Sequence, residues 1–194
     1  NEKEFKEGLT NLLSKPRWMR FCYSYACNLD CYHCYQREDA KINRSLPDKF
    51  IREIYENAEN YQILYFFGGE PFMYKPVTKM MSDIQTPKGC RYCLITNATL
   101  LTDKVMEMLD NKDIGIFAVS LDAASAETFD KLRVRGRNAN WEKVLENVQK
   151  VADMKKKKGF SFTISMTVNS ENAHEIEAFV DLCLSFGAEP EVLL

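Results

Sequence analysis

Cys27, Cys31 and Cys34 fall in the run Cys-Asn-Leu-Asp-Cys-Tyr-His-Cys, directly after a strand-like segment. Three thiolates at this spacing can wrap one face of a metal centre, and the polar interval Asn28–Asp30 argues against a buried strand or helix there. Clusters that only pass electrons usually have every iron held by protein. Three thiolates around a four-iron cubane leave one iron free to take another ligand, which points to chemistry at the cluster. A single zinc ion competes as occupant, but zinc sites usually complete a tetrahedron. His33 adjoins Cys34 and is poorly placed to bite the same ion, and His174, the only other histidine, lies far along the chain.

A second constellation is Gly68-Gly69-Glu70-Pro71, after the apolar run Ile63–Phe67. Two glycines let the backbone turn sharply and approach a ligand closely. A carboxylate there can accept hydrogen bonds from an ammonium group. The alternative is a simple tight turn. Cys90 and Cys93 form a Cys-x-x-Cys, but Cys93 belongs to an apolar run and Cys90 to its approach, so both read as core, as do Cys22 and Cys183. Tyr32, Tyr35 and Phe72 flank the two motifs and read as aromatic core lining.

The elements that must position these residues alternate between two periodicities. Short apolar or β-branched runs read as buried parallel strands: Met19–Tyr25, Ile63–Phe67, Tyr92–Thr96, Ile116–Leu121, Ser161–Val168 and Glu191–Leu194. Between them lie amphipathic helices. One follows Pro47 and carries Phe50, Ile51, Ile54 and Tyr55 on one face, and one spans Val77–Ile84. Another starts at Thr102 as N-cap, with Val105, Met106 and Leu109 inward. A long one runs Trp141–Lys158 before Gly159, and the last begins after Asn172. A leading helix at about Glu4–Ser14 occupies the segment 1–16. Strands alternating with helices imply an α/β fold with a parallel sheet and right-handed crossovers. The periodicity leaves open whether that sheet is doubly wound or curled into part of a barrel. Functional loops gather at the strand C-terminal ends in both, where the two motifs fall.

The chain's 194 residues suit one domain, and its composition is that of an ordinary globular protein. A net charge of -2 gives no electrostatic reason to expect nucleic acid or an acidic membrane as partner. Lys155–Lys158 reads as the solvated last turn of the long helix. No stretch is long and apolar enough to span a bilayer, and no signal peptide opens the chain. Seven cysteines, an odd number with three at metal-ligand spacing, fit a reducing cytoplasm better than a disulfide framework. The first residue is Asn1 and the last run is apolar, so the chain reads as a piece of a longer protein.

Together the Cys-x-x-x-Cys-x-x-Cys and Gly-Gly-Glu-Pro motifs resemble the radical S-adenosylmethionine (radical SAM) superfamily, most closely its peptide or cofactor maturases with SPASM or Twitch extensions. The resemblance covers nearly the whole chain and implies a core domain over 1–194, a parallel six-stranded (βα)6 partial TIM barrel. It implies an enzyme whose [4Fe-4S] cluster, held by Cys27, Cys31 and Cys34, reductively cleaves SAM to a 5′-deoxyadenosyl radical that abstracts hydrogen from a substrate. The cofactor-binding residues carried over are His33 near the adenine, Gly68, Gly69 and Glu70 at the methionine amino group, Asn97 facing SAM, Ser120 at the carboxylate or ribose, Arg133 at the carboxylate, and Asn169 at the ribose. Arg135 and Arg137 stand close enough to Arg133 to replace it. The implied partners are a peptide or protein substrate and a reductant such as flavodoxin or ferredoxin. Alternatives are a small-molecule substrate, or a non-catalytic iron–sulfur module.

Overall fold

A computed structural model describes residues 2–36, 45–134 and 139–194; Arg135 and Arg137 lie outside the described residues. Six strands form one sheet: β1 (Trp18–Cys22), β2 (Ile63–Phe67), β3 (Arg91–Thr96), β4 (Ile114–Ser120), β5 (Ser161–Thr167) and β6 (Glu189–Leu193). Each pairs in parallel with its sequence neighbour, in the order β1-β2-β3-β4-β5-β6. A doubly wound sheet reverses its strand order midway, whereas sequential order builds a barrel wall. The partial barrel is therefore the observed architecture.

One helix precedes β1 and the others cross between the strands. They are α1 (Glu2–Lys6), α2 (Asp48–Glu56), α3 (Lys75–Asp83), α4 (Asp103–Asp110), α5 (Ala126–Phe129), α6 (Trp141–Lys158) and α7 (Ile176–Ser185). The outer face of the sheet packs against them through Leu64, Phe66, Leu94, Phe117, Val119 and Ile164, all fully buried. The period-two alternation of β2 turns Ile63, Tyr65 and Phe67 to the other face. There the guanidinium of Arg20 lies 5.1 Å from the Tyr65 ring centroid and 4.9 Å from that of Phe67.

Several expectations need correction. The leading helix stops at Lys6 rather than near Ser14. Five residues with none buried cannot sustain a helix alone. Gly8 turns left-handed at φ +63, and Glu4 Oε1 accepts from Leu13 N–H (2.6 Å) and Ser14 N–H (2.9 Å), folding the chain back. β1 ends at Cys22, because beyond it the chain leaves the ladder for the cysteine loop. β6 is exposed along its length, at the edge of the sheet beside β5. Cys22 is half-buried, with its sulfur 3.9 Å from Ser24 O and 3.8 Å from Gln36 Nε2. Tyr32 and Tyr35 are exposed on the loop, while Phe72 packs against the core. Cys90, Cys93 and Cys183 are buried as expected. Between β4 and α6 lies an element the periodicity did not announce: α5 runs into a single π-helical turn, Asp130–Val134. Among the described residues no helix is long and apolar enough to cross a membrane.

Candidate functional site

The site begins where β1 and β2 end. The segment Ser24–Ala26 continues beside the glycine turn, with Gly69 N–H donating to Ser24 O (2.7 Å) and Glu70 N–H to Ala26 O (2.8 Å). This contact is too close for side chains. A Cβ on Gly69 would stand 2.0 Å from Ala26 O, and one on Gly68, at φ +135, would stand 2.6 Å from Ser24 O. The glycines thus admit the backbone that leads into the cysteine loop.

Cys27, Cys31 and Cys34 line one cavity of about 410 Å³ together with Gly68, Gly69, Asn97, Ser120 and Arg133. Cys27 Sγ accepts from Leu29 N–H (3.5 Å) and Asn97 Nδ2 (3.8 Å). Asn97 Nδ2 also donates to Asn28 Oδ1 (3.0 Å), and Asn28 Nδ2 to Thr99 Oγ1 (2.8 Å), so the end of β3 braces the first cysteine. Tyr32 N–H donates to Leu132 O (2.8 Å), which docks the loop on the π-helical turn. Burial pushes the Cys27 thiol up to about 11 and raises Cys31 too, so loading a metal expels their protons. Among the described residues no three His, Cys, Asp or Glu side chains close around a single ion. A cluster gives each thiolate its own iron and tolerates wider spacing.

Glu70 is fully buried and stands behind the cavity wall. Its Oε1 accepts from Thr96 Oγ1 (2.9 Å) and Phe72 N–H (3.2 Å), and its Oε2 from Asn97 N–H (2.9 Å). Burial raises its carboxyl to about 7 against the pull of these donors. Here Glu70 holds the end of β3 in place.

The opposite wall is built around Asp122, just past β4. Asp122 is buried at φ +60, and its Oδ2 accepts from Arg133 Nη1 and from His33 Nε2 (3.0 Å). Its Oδ1 accepts from Thr167 N–H (2.7 Å) at the end of β5, and Asn172 Nδ2 donates to its carbonyl (3.0 Å). Burial alone would raise its carboxyl, but Arg133 and His33 hold it down at about 2. Arg133 comes from the π-helical turn, a distortion that recurs at functional sites. That turn follows α5, whose start is pinned by Glu175: Ala124 N–H (2.7 Å), the Ser125 hydroxyl and Thr128 Oγ1 (2.7 Å) all donate to its carboxylate.

Of the expected site residues, the cavity gathers the three cysteines, His33, Gly68, Gly69, Asn97, Ser120 and Arg133. Glu70 and Asn169 do not border it. Asn169 caps its own turn instead, accepting from Glu171 N–H (2.9 Å), while Thr167 takes the place on the wall. Asp122 and Glu175 escaped sequence reasoning as organisers. Asp122 ends the Ser-Leu-Asp run, but nothing in its spacing shows a left-handed backbone. Glu175 sits about fifty residues from its partners.

The donor set fits a three-thiolate cluster with a polar ligand beside it. Two buried nitrogens of cavity-lining residues, Arg133 Nε and His33 Nδ1, have no partner among the described residues. The glycine turn leaves its side of the cavity free of Cβ atoms.

Comparison with known proteins agrees with this geometry. Residues 21–183 match the model of the Radical SAM superfamily. The chain is 30% identical over 182 residues to the AdoMet-dependent heme synthase of Methanosarcina barkeri, covering 91% of this chain and 50% of that protein. It is 28% identical to the mycofactocin maturase MftC of Mycolicibacterium smegmatis, covering 96% of this chain and 45% of the relative. The chain thus spans about half the length of the curated relatives it matches. Its fold is that of Streptococcus suis SuiB bound to S-adenosylmethionine, with a TM-score of 0.67 at 18% identity over 98% of this chain and 43% of SuiB.

Proposed function

The chain belongs to the radical SAM superfamily, and from that premise we propose that it is the core of an enzyme that cleaves SAM reductively to modify a peptide or protein. Its cofactors are those of the family, a [4Fe-4S] cluster and SAM. The observation that carries the reading is the convergence of Cys27, Cys31 and Cys34 with Gly68 and Gly69 on one cavity at the strand C-terminal ends.

Cys27, Cys31 and Cys34 would hold the cluster, which would supply the electron for reductive cleavage of SAM, while the Gly68–Gly69 turn, Ser120 and Arg133 would hold SAM against it. The chain's own residues hold and orient. In this reading Cys27, Cys31 and Cys34 ligate three irons, and the N–H donors on Cys27 Sγ temper that sulfur's charge. The Gly68–Gly69 backbone lies against the amino end of SAM, with Glu70 supporting it from behind. Ser120 and Arg133 face the carboxylate, and Asn97 and His33 the rest of the ligand. Asn169 serves the ribose only through the turn that follows Thr167.

A peptide or protein substrate is supported by the likeness to a maturase. The likeness to a heme synthase favours a second reading, a tetrapyrrole or other small molecule. A reduced flavodoxin or ferredoxin in a reducing cytoplasm would supply the electron. The test is anaerobic reconstitution with iron and sulfide, then dithionite and SAM. The expected product is 5′-deoxyadenosine, lost when any of the three cysteines is changed to alanine. A fully loaded four-iron protein that leaves SAM intact would overturn the proposal.

A further inference from the structure

We infer that Asp122 is a positioning residue: it borders the cavity, but its carboxylate faces protein donors and sets Arg133 for the carboxylate of the bound ligand. The inference rests on the radical SAM reading of the cavity. Asp122 is 1% exposed and unites four separate segments. Its Oδ2 takes Arg133 Nη1 from the π-helical turn and His33 Nε2 from the cysteine loop, while its Oδ1 takes Thr167 N–H from β5. Asn172 fixes its backbone carbonyl. Both carboxylate oxygens of Asp122 are therefore engaged by protein donors.

Arg133 shows the consequence. One guanidinium nitrogen is committed to Asp122, yet Nε is buried with no partner among the described residues. A guanidinium presents five donors in a rigid fork, so fixing one edge fixes the direction of the others. Asp122 grips the Nη1 edge and leaves Nε for an incoming carboxylate. His33 is held by the same carboxylate oxygen, with its own Nδ1 unpartnered. A single buried oxygen thus aligns two of the cavity's nitrogen-bearing side chains.

The backbone at Asp122 makes the idea testable. Asparagine and glycine both accept its φ of +60. Asp122→Asn keeps an acceptor for Thr167 N–H but turns an amide N–H₂ toward Arg133 and His33. Asp122→Gly removes the side chain without backbone strain and serves if the asparagine variant folds poorly. Wild type, D122N, D122G, R133M and D122N/R133M are reconstituted, assayed for iron per chain, and titrated with S-adenosylhomocysteine by calorimetry. This probe binds without redox turnover, so affinity is read apart from activity.

The expected result is wild-type iron content and at least tenfold weaker binding in D122N and D122G. In the R133M background, D122N should change affinity less than twofold, because its effect passes through Arg133. Binding within twofold of wild type in D122N would overturn the inference. So would an equal loss in both backgrounds, or a loss of iron in D122N and D122G, which would place Asp122 in the scaffold of the cluster loop. Failure of the wild-type protein to bind the probe would instead bring down the reading of the cavity itself.

Discussion

At the residue scale, two motif residues carry different work from what their chemistry announces. Gly69 was legible as a turn, but its neighbour is the Ala26 carbonyl, a contact between segments more than forty residues apart that no local pattern encodes. Changing Gly69 to Ala should cost about 3 kcal/mol or more, since the opposing atom is backbone and cannot swing away. It should also abolish iron retention. Gly159→Ala is the control. Gly159 is left-handed at φ +75 with nothing near its absent Cβ, so its loss should cost about 1 kcal/mol and leave iron loading unchanged. Urea melts of the metal-free proteins and iron assays of the loaded ones check both. Glu70 was legible as an ammonium acceptor, yet folding closes its oxygens with Thr96, Asn97 and Phe72. Its carboxyl rises from 4.5 to about 7 through burial. A raised carboxyl binds its proton more tightly in the folded state. Its stabilisation is therefore complete below about pH 4.5 and lost as pH climbs toward 7, by about 3 kcal/mol at most. Metal-free protein should lose stability from pH 5 to 7 in denaturant titrations, and Glu70→Gln should flatten that slope.

At the element scale, strands and long helices follow from periodicity because each buries an unambiguous face. β2 and α6 fall where the pattern puts them, and Thr102 caps α4 by accepting from Val105 N–H at 3.4 Å. The failures share a cause. α1 has no face to bury. α5 and its π-helical turn are too short for a period, and they exist because a tertiary carboxylate, Glu175, gathers three donors at their start. Glu175→Ala would strand those donors. It should cost about 3 kcal/mol, lower the thermal midpoint by roughly 6–12 °C, and weaken ligand binding by loosening the turn that carries Arg133. Differential scanning calorimetry beside a ligand titration measures both effects on one sample.

At the scale of the whole molecule, sequential strand order curls the sheet so that four strand ends, a cysteine loop and a π-helical turn converge on one cavity. The alternation of strands and helices made a parallel α/β sheet legible, but pairing order is a long-range property, and only the resemblance pointed to a barrel wall. The same holds for the site. Its cysteines and glycines are written as local spacings, whereas Asp122 and Thr167 enter it only because β4 and β5 lie side by side. The central claim is that three thiolates hold a cluster with one iron open to SAM. Electron–nuclear double resonance on the reduced, reconstituted protein, with SAM carrying ¹⁵N and ¹⁷O in its methionine portion, examines that iron directly. Hyperfine coupling from both labels to the cluster spin is the expected result. A reduced four-iron signal identical with and without SAM, and free of either coupling, would contradict it.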